Sequence, residues 1–347
     1  MTRIAINGFG RIGRALMRAL YQHAPDSGHE LVPVAINDPY ADSEQLALLL
    51  QYDSLYGHWP VPVELQTPNL LQAGPHAIRL SQLPEPAGLP WRELEVDTVF
   101  ECSGQFHSRN ALTAHLKAGA KRVILSHPGT EDLDATIVYG INHAHLDGTE
   151  KLLSAASCTS NCLAPVLSVL HSEFGIEQGS TTTLHAAMND QPLLDSLEQG
   201  QRTHNKRLMR SGINAAVPVA TKLADGVERV IPELKNRLIS HAFRLPHIGI
   251  SAIDMHLQLQ RHANPDQLHN CLNEAAQGAL RGILTLSSQP LISTDFLGNP
   301  HSAIVDTTET QSRDLQPGQQ PLVRLLTWFD NEWAFACRML DLAHYLG

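Results

Sequence analysis

The sequence predicts an α/β protein with two domains: a doubly wound parallel sheet, followed by an α+β domain whose sheet is mostly antiparallel. In the first half of the chain, short apolar runs alternate with amphipathic helical runs, the pattern of a parallel sheet covered by helices. In the second half, apolar and polar residues alternate along extended runs such as Ser251 to Gln260, so one strand face is buried and the other is wet. The chain has 347 residues, 43% of them hydrophobic, which is enough for two cores.

The first strand is predicted over Arg3 to Asn7, and a glycine-rich turn follows it directly. Gly8-Phe9-Gly10-Arg11-Ile12-Gly13 opens an amphipathic helix that continues to Leu20. Glycines at these three places allow a tight turn, close approach of the backbone to a pyrophosphate, and close packing of helix on strand. A second strand, Leu31 to Ile36, ends in Asn37-Asp38, where a carboxylate accepts hydrogen bonds from a ribose 2′-hydroxyl and repels a 2′-phosphate. We therefore predict a Rossmann-type domain that binds NAD rather than NADP; the alternative is an ordinary turn between a strand and a helix.

Two more buried strands, Val96 to Phe100 and Val123 to Leu125, end in turns of small residues that contain Ser103 and Ser126. The carboxyl ends of strands are where open α/β sheets bind ligands, so both turns are candidate binding segments. The irregular stretch from Trp59 to Leu89 is predicted as edge strands and loops, without a defined pairing.

The chemistry of the chain is expected at Ser157-Cys158-Thr159-Ser160-Asn161-Cys162. This segment separates a β-rich run, Lys151 to Ala155, from a helical run, Leu163 to His171, so the sulfur of Cys158 should lie at a helix N-terminus that stabilises a thiolate. His185, predicted on the next strand, would lower the thiol pKa and move protons. The pattern indicates a covalent enzyme. The alternatives are two small apolar cysteines on one helix face, or half of a metal site.

Composition excludes several classes of function. The formal net charge of -10, without a basic run, argues against nucleic acid as a partner. Five scattered cysteines are expected of a reduced cytoplasmic protein, and no apolar run approaches the ~20 residues of a membrane span. The 19 histidines are dispersed and lack the spacing of a zinc site, so no metal is expected.

The last strand is predicted over Leu322 to Phe329, and a helix over Asp266 to Arg281. Asp330-Asn331-Glu332 should cap a final amphipathic helix, Trp333 to Tyr345.

Three segments carry a resemblance to a known family: Ile6 to Arg14, Ser157 to Cys162, and Trp328 to Trp333. In residue identity, order and spacing they are similar to the corresponding segments of the glyceraldehyde-3-phosphate dehydrogenase family, and the resemblance covers the whole chain. It implies that Cys158 is the nucleophile, that His185 is the base, and that the protein is a homotetramer acting on a small sugar phosphate.

The resemblance also implies a division into domains and a set of ligand contacts. The NAD-binding domain is expected over residues 1–157, completed by the C-terminal helix 331–347, and the catalytic domain over residues 158–330. The expected cofactor contacts are Asn7, Gly8, Phe9, Gly10, Arg11, Ile12, Gly13, Asp38, Ser103, Ser126 and Asn331, the last of which would orient the nicotinamide. The expected substrate-phosphate contacts are Ser157, Thr159, Arg210 and Thr221, with Arg207 as the alternative to Arg210.

One branch of the family is favoured by the residues after His185. The phosphorylating branch usually has threonines where this chain has Met188 and Asp190, and glycine where it has Lys222. These departures look like the D-erythrose-4-phosphate dehydrogenase branch. Enzymes of that branch oxidise D-erythrose 4-phosphate to 4-phosphoerythronate, with water as the acceptor of the acyl group, on the way to pyridoxal phosphate. Segment 192–209 is longer than expected for either branch. A phosphorylating enzyme of glycolysis and a non-catalytic NAD-binding relative stay open as alternatives.

Overall fold

A computed structural model describes residues 1–23, 30–197, 205–313 and 321–347. The chain forms two compact units. The first consists of Met1–Ser157 together with Phe335–Gly347, and the second of Cys158–Ala334.

Helices occur in both units. In chain order they are α1 Arg11–Gln22, α2 Ser43–Gln51, α3 Arg109–Ala118, α4 Cys158–Phe174, α5 Leu223–Val230, α6 Pro265–Gln277 and α7 Trp333–Leu346. Several begin where the chain supplies a cap: Asn264 forms a capping box with Gln267 at α6, and Asp330 Oδ1 accepts the backbone N–H groups of Glu332 and Trp333 before α7. Helix α6 stops at Gln277, short of the predicted Arg281, because Gly278 follows.

The first unit is built on a nine-stranded sheet. The strands of the sheet are β1 Thr2–Asn7, β2 Leu31–Asn37, β5 Val63–Thr67, β6 Leu70–Ala73, β7 His76–Ser81, β8 Thr98–Glu101, β9 Arg122–Leu125, β10 Ala135–Thr136 and β11 Leu152–Ser154. Two further strands, β3 Tyr52–Asp53 and β4 Gly57–His58, form a separate short hairpin. The sheet order is β10-β11-β9-β8-β1-β2-β7-β6-β5, and every pair from β10 to β7 is parallel. The predicted doubly wound parallel sheet is confirmed.

The stretch after Trp59 joins this sheet instead of lying outside it. Strands β5, β6 and β7 form an antiparallel meander, and β7 pairs in parallel with β2. The sequence left this pairing undefined because short strands with mixed faces fit several registers equally well.

The second unit is built on a seven-stranded sheet. Its strands are β12 Ile176–His185, β13 Val217–Val219, β14 Leu238–Arg244, β15 Ile250–Leu259, β16 Leu284–Ser287, β17 Ala303–Arg313 and β18 Leu322–Asp330. The order is β13-β14-β12-β15-β18-β17-β16; the β12–β14 and β16–β17 pairs are parallel, and the other four are antiparallel. The prediction of a mostly antiparallel sheet is confirmed.

Burial on β15 follows the alternation seen in the sequence. Ile253, Met255, Leu257 and Leu259 are fully buried, whereas Asp254 and the other intervening polar residues are partly exposed. Helix α4 packs against β12, β15 and β17, so this buried face and the helix share one core. That packing brings the first residue of α4 toward the end of β12.

Candidate active site

The carboxyl ends of four adjacent strands in the first unit form one row. Across β2, β1, β8 and β9, Asn37 pairs with Asn7, Asn7 with Glu101, and Glu101 with Leu125. The expected cofactor residues of this unit belong to this row or follow it directly: Asn7, Gly8, Phe9, Gly10, Arg11, Ile12, Gly13, Asp38, Ser103 and Ser126. The fold therefore brings residues from four separate segments to one sheet edge, where such sheets bind ligands.

The three glycines of the turn meet three different surroundings. Gly8 has φ +88, and a Cβ on it would lie 2.4 Å from the backbone of Ser103. A Cβ on Gly13 would lie 2.3 Å from the carbonyl oxygen of Gly8, because α1 packs tightly on the turn. A Cβ on Gly10 would meet nothing within 4 Å. This open side leaves the backbone accessible to a pyrophosphate at the start of α1, so the residues present fit a dinucleotide.

The acidic residue after β2 also holds the turn. Asp38 Oδ2 accepts the backbone N–H of Phe9 at 2.8 Å, and its Oδ1 accepts that of Tyr40 at 3.0 Å. The guanidinium of Arg11 is paired with Asp53 at 2.5 Å, so the backbone of Arg11 is the part of this residue that lies in the glycine-rich turn. The link from Asp38 to Phe9 was not foreseen from the sequence.

A buried carboxylate lies behind this row. Glu101 is fully buried, and its Oε2 accepts from Asn7 Nδ2 at 2.5 Å and from His115 Nε2 at 2.9 Å. Its Oε1 accepts from Ser103 N at 2.8 Å and from Ser103 Oγ at 2.5 Å. His115 Nδ1 accepts from Trp91 Nε1 at 3.0 Å, which fixes the hydrogen of the neutral ring on Nε2. Glu101 thus fastens two candidate cofactor residues, Asn7 and Ser103, to the core of the sheet.

Cys158 and His185 meet in the second unit. Cys158 is the first residue of α4, and His185 is the last residue of β12. Nε2 of His185 lies 3.8 Å from Sγ of Cys158. Ala156, two residues before the cysteine, has φ +61, a left-handed conformation that is uncommon outside glycine and typical of functional sites. Cys162, one helical turn further, is fully buried.

Burial sets the protonation of both groups. It raises the pKa of the Cys158 thiol to about 11, although the charge of Arg244 and the backbone N–H of Thr159 act in the opposite direction. It lowers the pKa of His185 to about 4, and the Arg244 charge lowers it further. The prediction of a lowered thiol pKa is therefore wrong for this structure: His185 is neutral at pH 7 and offers no charge to a thiolate. The thiol must give its proton to a base before it can act as a nucleophile.

Arg244 is the charged residue of this site that the sequence did not reveal. It ends β14, which pairs in parallel with β12 so that Arg244 lies opposite His185. Its side chain is only 14% exposed; Nη1 lies 3.0 Å from His185 Nδ1 and Nη2 lies 3.8 Å from Asp190 Oδ2. His185 Nδ1 also lies 2.8 Å from the carbonyl oxygen of Ala186. The strand over Leu238 to Leu245 was predicted, but only its pairing with β12 singles out this arginine.

Asn331 is connected to the same site through a buried serine. Ser251 Oγ accepts the backbone N–H of Ala186 at 3.0 Å and donates to Asn331 Oδ1 at 3.3 Å. Because Oδ1 is the acceptor, the amide nitrogen of Asn331 is the end that can donate to a ligand. Ser251 was not identified from the sequence; it lies on β15, the antiparallel neighbour of β12.

The candidate phosphate contacts fall in two places. Ser157 and Thr159 flank Cys158 at the start of α4. Thr221 Oγ1 accepts the backbone N–H of Leu223 at 3.2 Å, just before α5. Helix α5 packs closely on the start of α4, since a Cβ on Gly226 would lie 2.9 Å from Ser160 Oγ.

The two candidate arginines lie on a different segment. Arg210 Nε is 2.9 Å from Asp195 Oδ2, and its side chain is 72% exposed. Arg207 belongs to a 3-10 helix, Lys206–Met209. Of segment 192–209, residues 198–204 lie outside the described residues.

Within the described ranges, no group of three or more His, Cys, Asp or Glu is arranged to hold a metal ion. In the same part of the chain, no helix is both long enough and apolar enough to cross a membrane.

The glycine-rich sheet edge of the first unit and the thiol–imidazole pair of the second define the class of protein as a dinucleotide-dependent dehydrogenase. Comparison with protein families agrees: residues 2–109 match the glyceraldehyde 3-phosphate dehydrogenase NAD binding domain, and residues 157–331 match the C-terminal domain of that enzyme. The chain belongs to the glyceraldehyde 3-phosphate dehydrogenase family. Its cofactor is NAD, and it is an NAD-dependent dehydrogenase of aldehyde phosphates.

Proposed function

We propose that this protein oxidises D-erythrose 4-phosphate to 4-phosphoerythronate, through a thioester on Cys158 that water hydrolyses. The observation that carries the choice of acyl acceptor is the placement of the Asp190 carboxylate 3.8 Å from Arg244, the largely buried cation next to His185.

The proposed reaction begins with a proton transfer. His185 Nε2 takes the proton of the Cys158 thiol, the sulfur adds to the aldehyde carbon, and the same nitrogen returns the proton to the carbonyl oxygen, which gives a hemithioacetal. NAD, when bound along the row of strand ends, supplies the hydride acceptor. His185 Nε2 takes the hydroxyl proton of the hemithioacetal as it becomes a thioester, and Asn331 keeps its amide nitrogen available to the nicotinamide. His185 then releases this proton to solvent, and its Nε2 takes a proton from the water that attacks the thioester carbon. When the carbon–sulfur bond breaks, His185 returns that proton to the Cys158 sulfur, and the acid leaves and ionises to a carboxylate.

Electrostatic repulsion disfavours inorganic phosphate as the acyl acceptor. Inorganic phosphate needs hydroxyl and cationic donors beside the thioester, and Met188 offers neither. The Asp190 carboxylate would repel each negative charge of a phosphate dianion by about 1 to 4 kcal/mol at about 4 Å, for effective dielectric constants of about 80 to 20. Water does not meet this penalty.

The substrate phosphate needs a cation of its own. Arg244 is a largely buried guanidinium beside the Cys158–His185 pair. We propose that it contributes to phosphate binding, because a planar guanidinium suits phosphate oxygens. Ser157, Thr159, Arg210 and Thr221 remain the other proposed contacts of the substrate phosphate.

The test is NADH formation from D-erythrose 4-phosphate and from glyceraldehyde 3-phosphate, each with and without inorganic phosphate. We expect fast oxidation of erythrose 4-phosphate at a rate nearly independent of phosphate, with 4-phosphoerythronate as the product, and much poorer turnover of glyceraldehyde 3-phosphate. A strict requirement for phosphate, or an acyl-phosphate product, would assign the protein to the phosphorylating branch.

A triple variant tests which residues control the acceptor. Met188→Thr, Asp190→Thr and Lys222→Gly together should introduce a phosphate dependence into the rate. If the variant stays independent of phosphate while retaining turnover, these positions do not select the acceptor.

A further inference from the structure

Two groups compete for one nitrogen of His185. Nδ1 lies 2.8 Å from the carbonyl oxygen of Ala186 and 3.0 Å from Nη1 of Arg244. A carbonyl oxygen can only accept a hydrogen bond and a guanidinium can only donate one. A neutral imidazole carries either a hydrogen or a lone pair on Nδ1, so the two contacts cannot both be hydrogen bonds at the same time.

The partner of Nδ1 decides whether Nε2, the nitrogen that faces Cys158 Sγ, carries a lone pair or a hydrogen. If Nδ1 donates to Ala186, Nε2 carries the lone pair and can take the thiol proton. If Nδ1 accepts from Arg244, Nε2 carries the hydrogen and cannot act as a base.

We propose that Arg244 is a positioning residue that selects the tautomer of His185, and that an anionic substrate group releases this control. The inference rests on the proposed role of His185 as the base. Without a substrate anion, Arg244 prevails, because a charge-assisted hydrogen bond is roughly twice as strong as a neutral one. His185 is then held with its hydrogen on Nε2, and the Cys158 thiol keeps its proton.

The surroundings of Arg244 explain how a bound phosphate reverses this tautomer switch, that is, the change of the His185 hydrogen between Nε2 and Nδ1. Its Nη2 is 3.8 Å from Asp190, beyond a hydrogen bond, and its buried Nε has no hydrogen-bond partner among the described residues. A phosphate group that binds this guanidinium offers it stronger acceptors than an imidazole lone pair. The ring then exchanges its proton with solvent: Nε2 loses a hydrogen, Nδ1 gains one and donates it to Ala186. Cys158 can therefore lose its proton to His185 only when the phosphate group of the substrate is bound to Arg244.

The direct measurement is nitrogen NMR of the protein labelled with ¹⁵N-histidine, with the His185 signals assigned by their loss in His185→Asn. The nitrogen shifts report which ring nitrogen carries the hydrogen and do not depend on turnover. The probe is erythritol 4-phosphate, which has the phosphate but no aldehyde, and the matched control ligand is erythritol, which has neither.

In the ligand-free protein we expect the hydrogen on Nε2, and in saturating erythritol 4-phosphate on Nδ1; erythritol should change nothing. Arg244→Met, which removes the donor, should carry the hydrogen on Nδ1 with or without ligand, whereas Arg244→Lys, which keeps a donor, should resemble the parent. Arg324→Met is the matched control, because this arginine belongs to the same sheet and binds Asp254 and Glu309 instead. Its His185 signals should match those of the parent.

A ligand-free parent with its hydrogen already on Nδ1, or one that keeps it on Nε2 in saturating erythritol 4-phosphate, would overturn the proposal without any variant. An Arg244→Met protein with the tautomer of the parent would do the same. If the tautomer follows Arg244 but erythrose 4-phosphate is not oxidised, the proposed substrate is wrong and the switch stands.

Discussion

Replacing Glu101 by glutamine should destabilise the first unit, because this carboxylate is a fully buried acceptor for four hydrogen bonds. Glutamine has nearly the same shape but exchanges one oxygen for an NH₂ group. His115 cannot adapt, since its Nδ1 already accepts from Trp91, and Asn7 cannot flip, since its Oδ1 accepts from Asn37 at 2.7 Å.

The NH₂ group must therefore face Ser103. Its hydroxyl can turn to accept, but the backbone N–H of Ser103 then meets a donor, at a cost of about 1 kcal/mol for a half-buried group. The bonds from Asn7 and His115 change from charge-assisted to neutral, which removes about 1 kcal/mol each. Removal of a buried charge recovers part of this sum, so we expect a net loss of about 2 kcal/mol in the free energy of unfolding.

Cofactor binding should weaken as well, since Ser103 packs directly on Gly8. A tenfold rise in the Kd for NAD corresponds to about 1.4 kcal/mol. Urea unfolding and NADH fluorescence titration measure the two effects, with Glu93→Gln, at an exposed position of the same unit, as the control. If Glu101→Gln unfolds within about 0.5 kcal/mol of Glu93→Gln and binds NAD equally well, the network does not support the cofactor site.

Five other predictions concern the reaction, the stability, the cofactor and the assembly. Cys158→Ser should abolish NADH formation but keep NAD binding, whereas Cys162→Ala should keep most activity; the reverse result would exchange their roles. His185→Asn should lower the rate by the ~10²–10⁴ of a lost general base, and an unchanged rate would remove it from the reaction. Because the folded pKa of His185 is depressed to about 4, the parent should lose up to about 3 kcal/mol of stability as the pH falls from about 6.5 to about 4, and His185→Asn should lose less; equal pH profiles of urea unfolding would contradict this. Asp38→Ala should lose NAD affinity and gain some use of NADP, since its carboxylate repels a 2′-phosphate by about 1 to 4 kcal/mol per negative charge at about 4 Å, and an unchanged NAD/NADP ratio would show that the carboxylate does not face the ribose. Light scattering should give four times the 38.1 kDa of one chain, and a monomer mass would contradict the expected homotetramer.

Local patterns were enough to predict the cofactor edge of the first unit. The turn from Gly8 to Gly13 lies between a strand and a helix, and Asp38, Ser103 and Ser126 each follow a strand. The carboxyl ends of parallel strands meet at one edge whatever the order of the strands, so these residues converge in any doubly wound sheet. The position of Cys158 at the start of α4 was predictable for the same reason, since it depends only on where one helix begins.

Interactions between distant segments were decided by the tertiary structure. Arg244 reaches His185 across 59 residues only because β14 pairs in parallel with β12 in one particular register, and a shift of one residue would turn its side chain to the other face. The ionisation of Cys158 was predicted wrongly because a helix N-terminus is visible in a sequence, whereas burial is not, and burial has the larger effect on this thiol. Sequence determines which groups are available to the site; packing determines how much water they keep and which charge they meet.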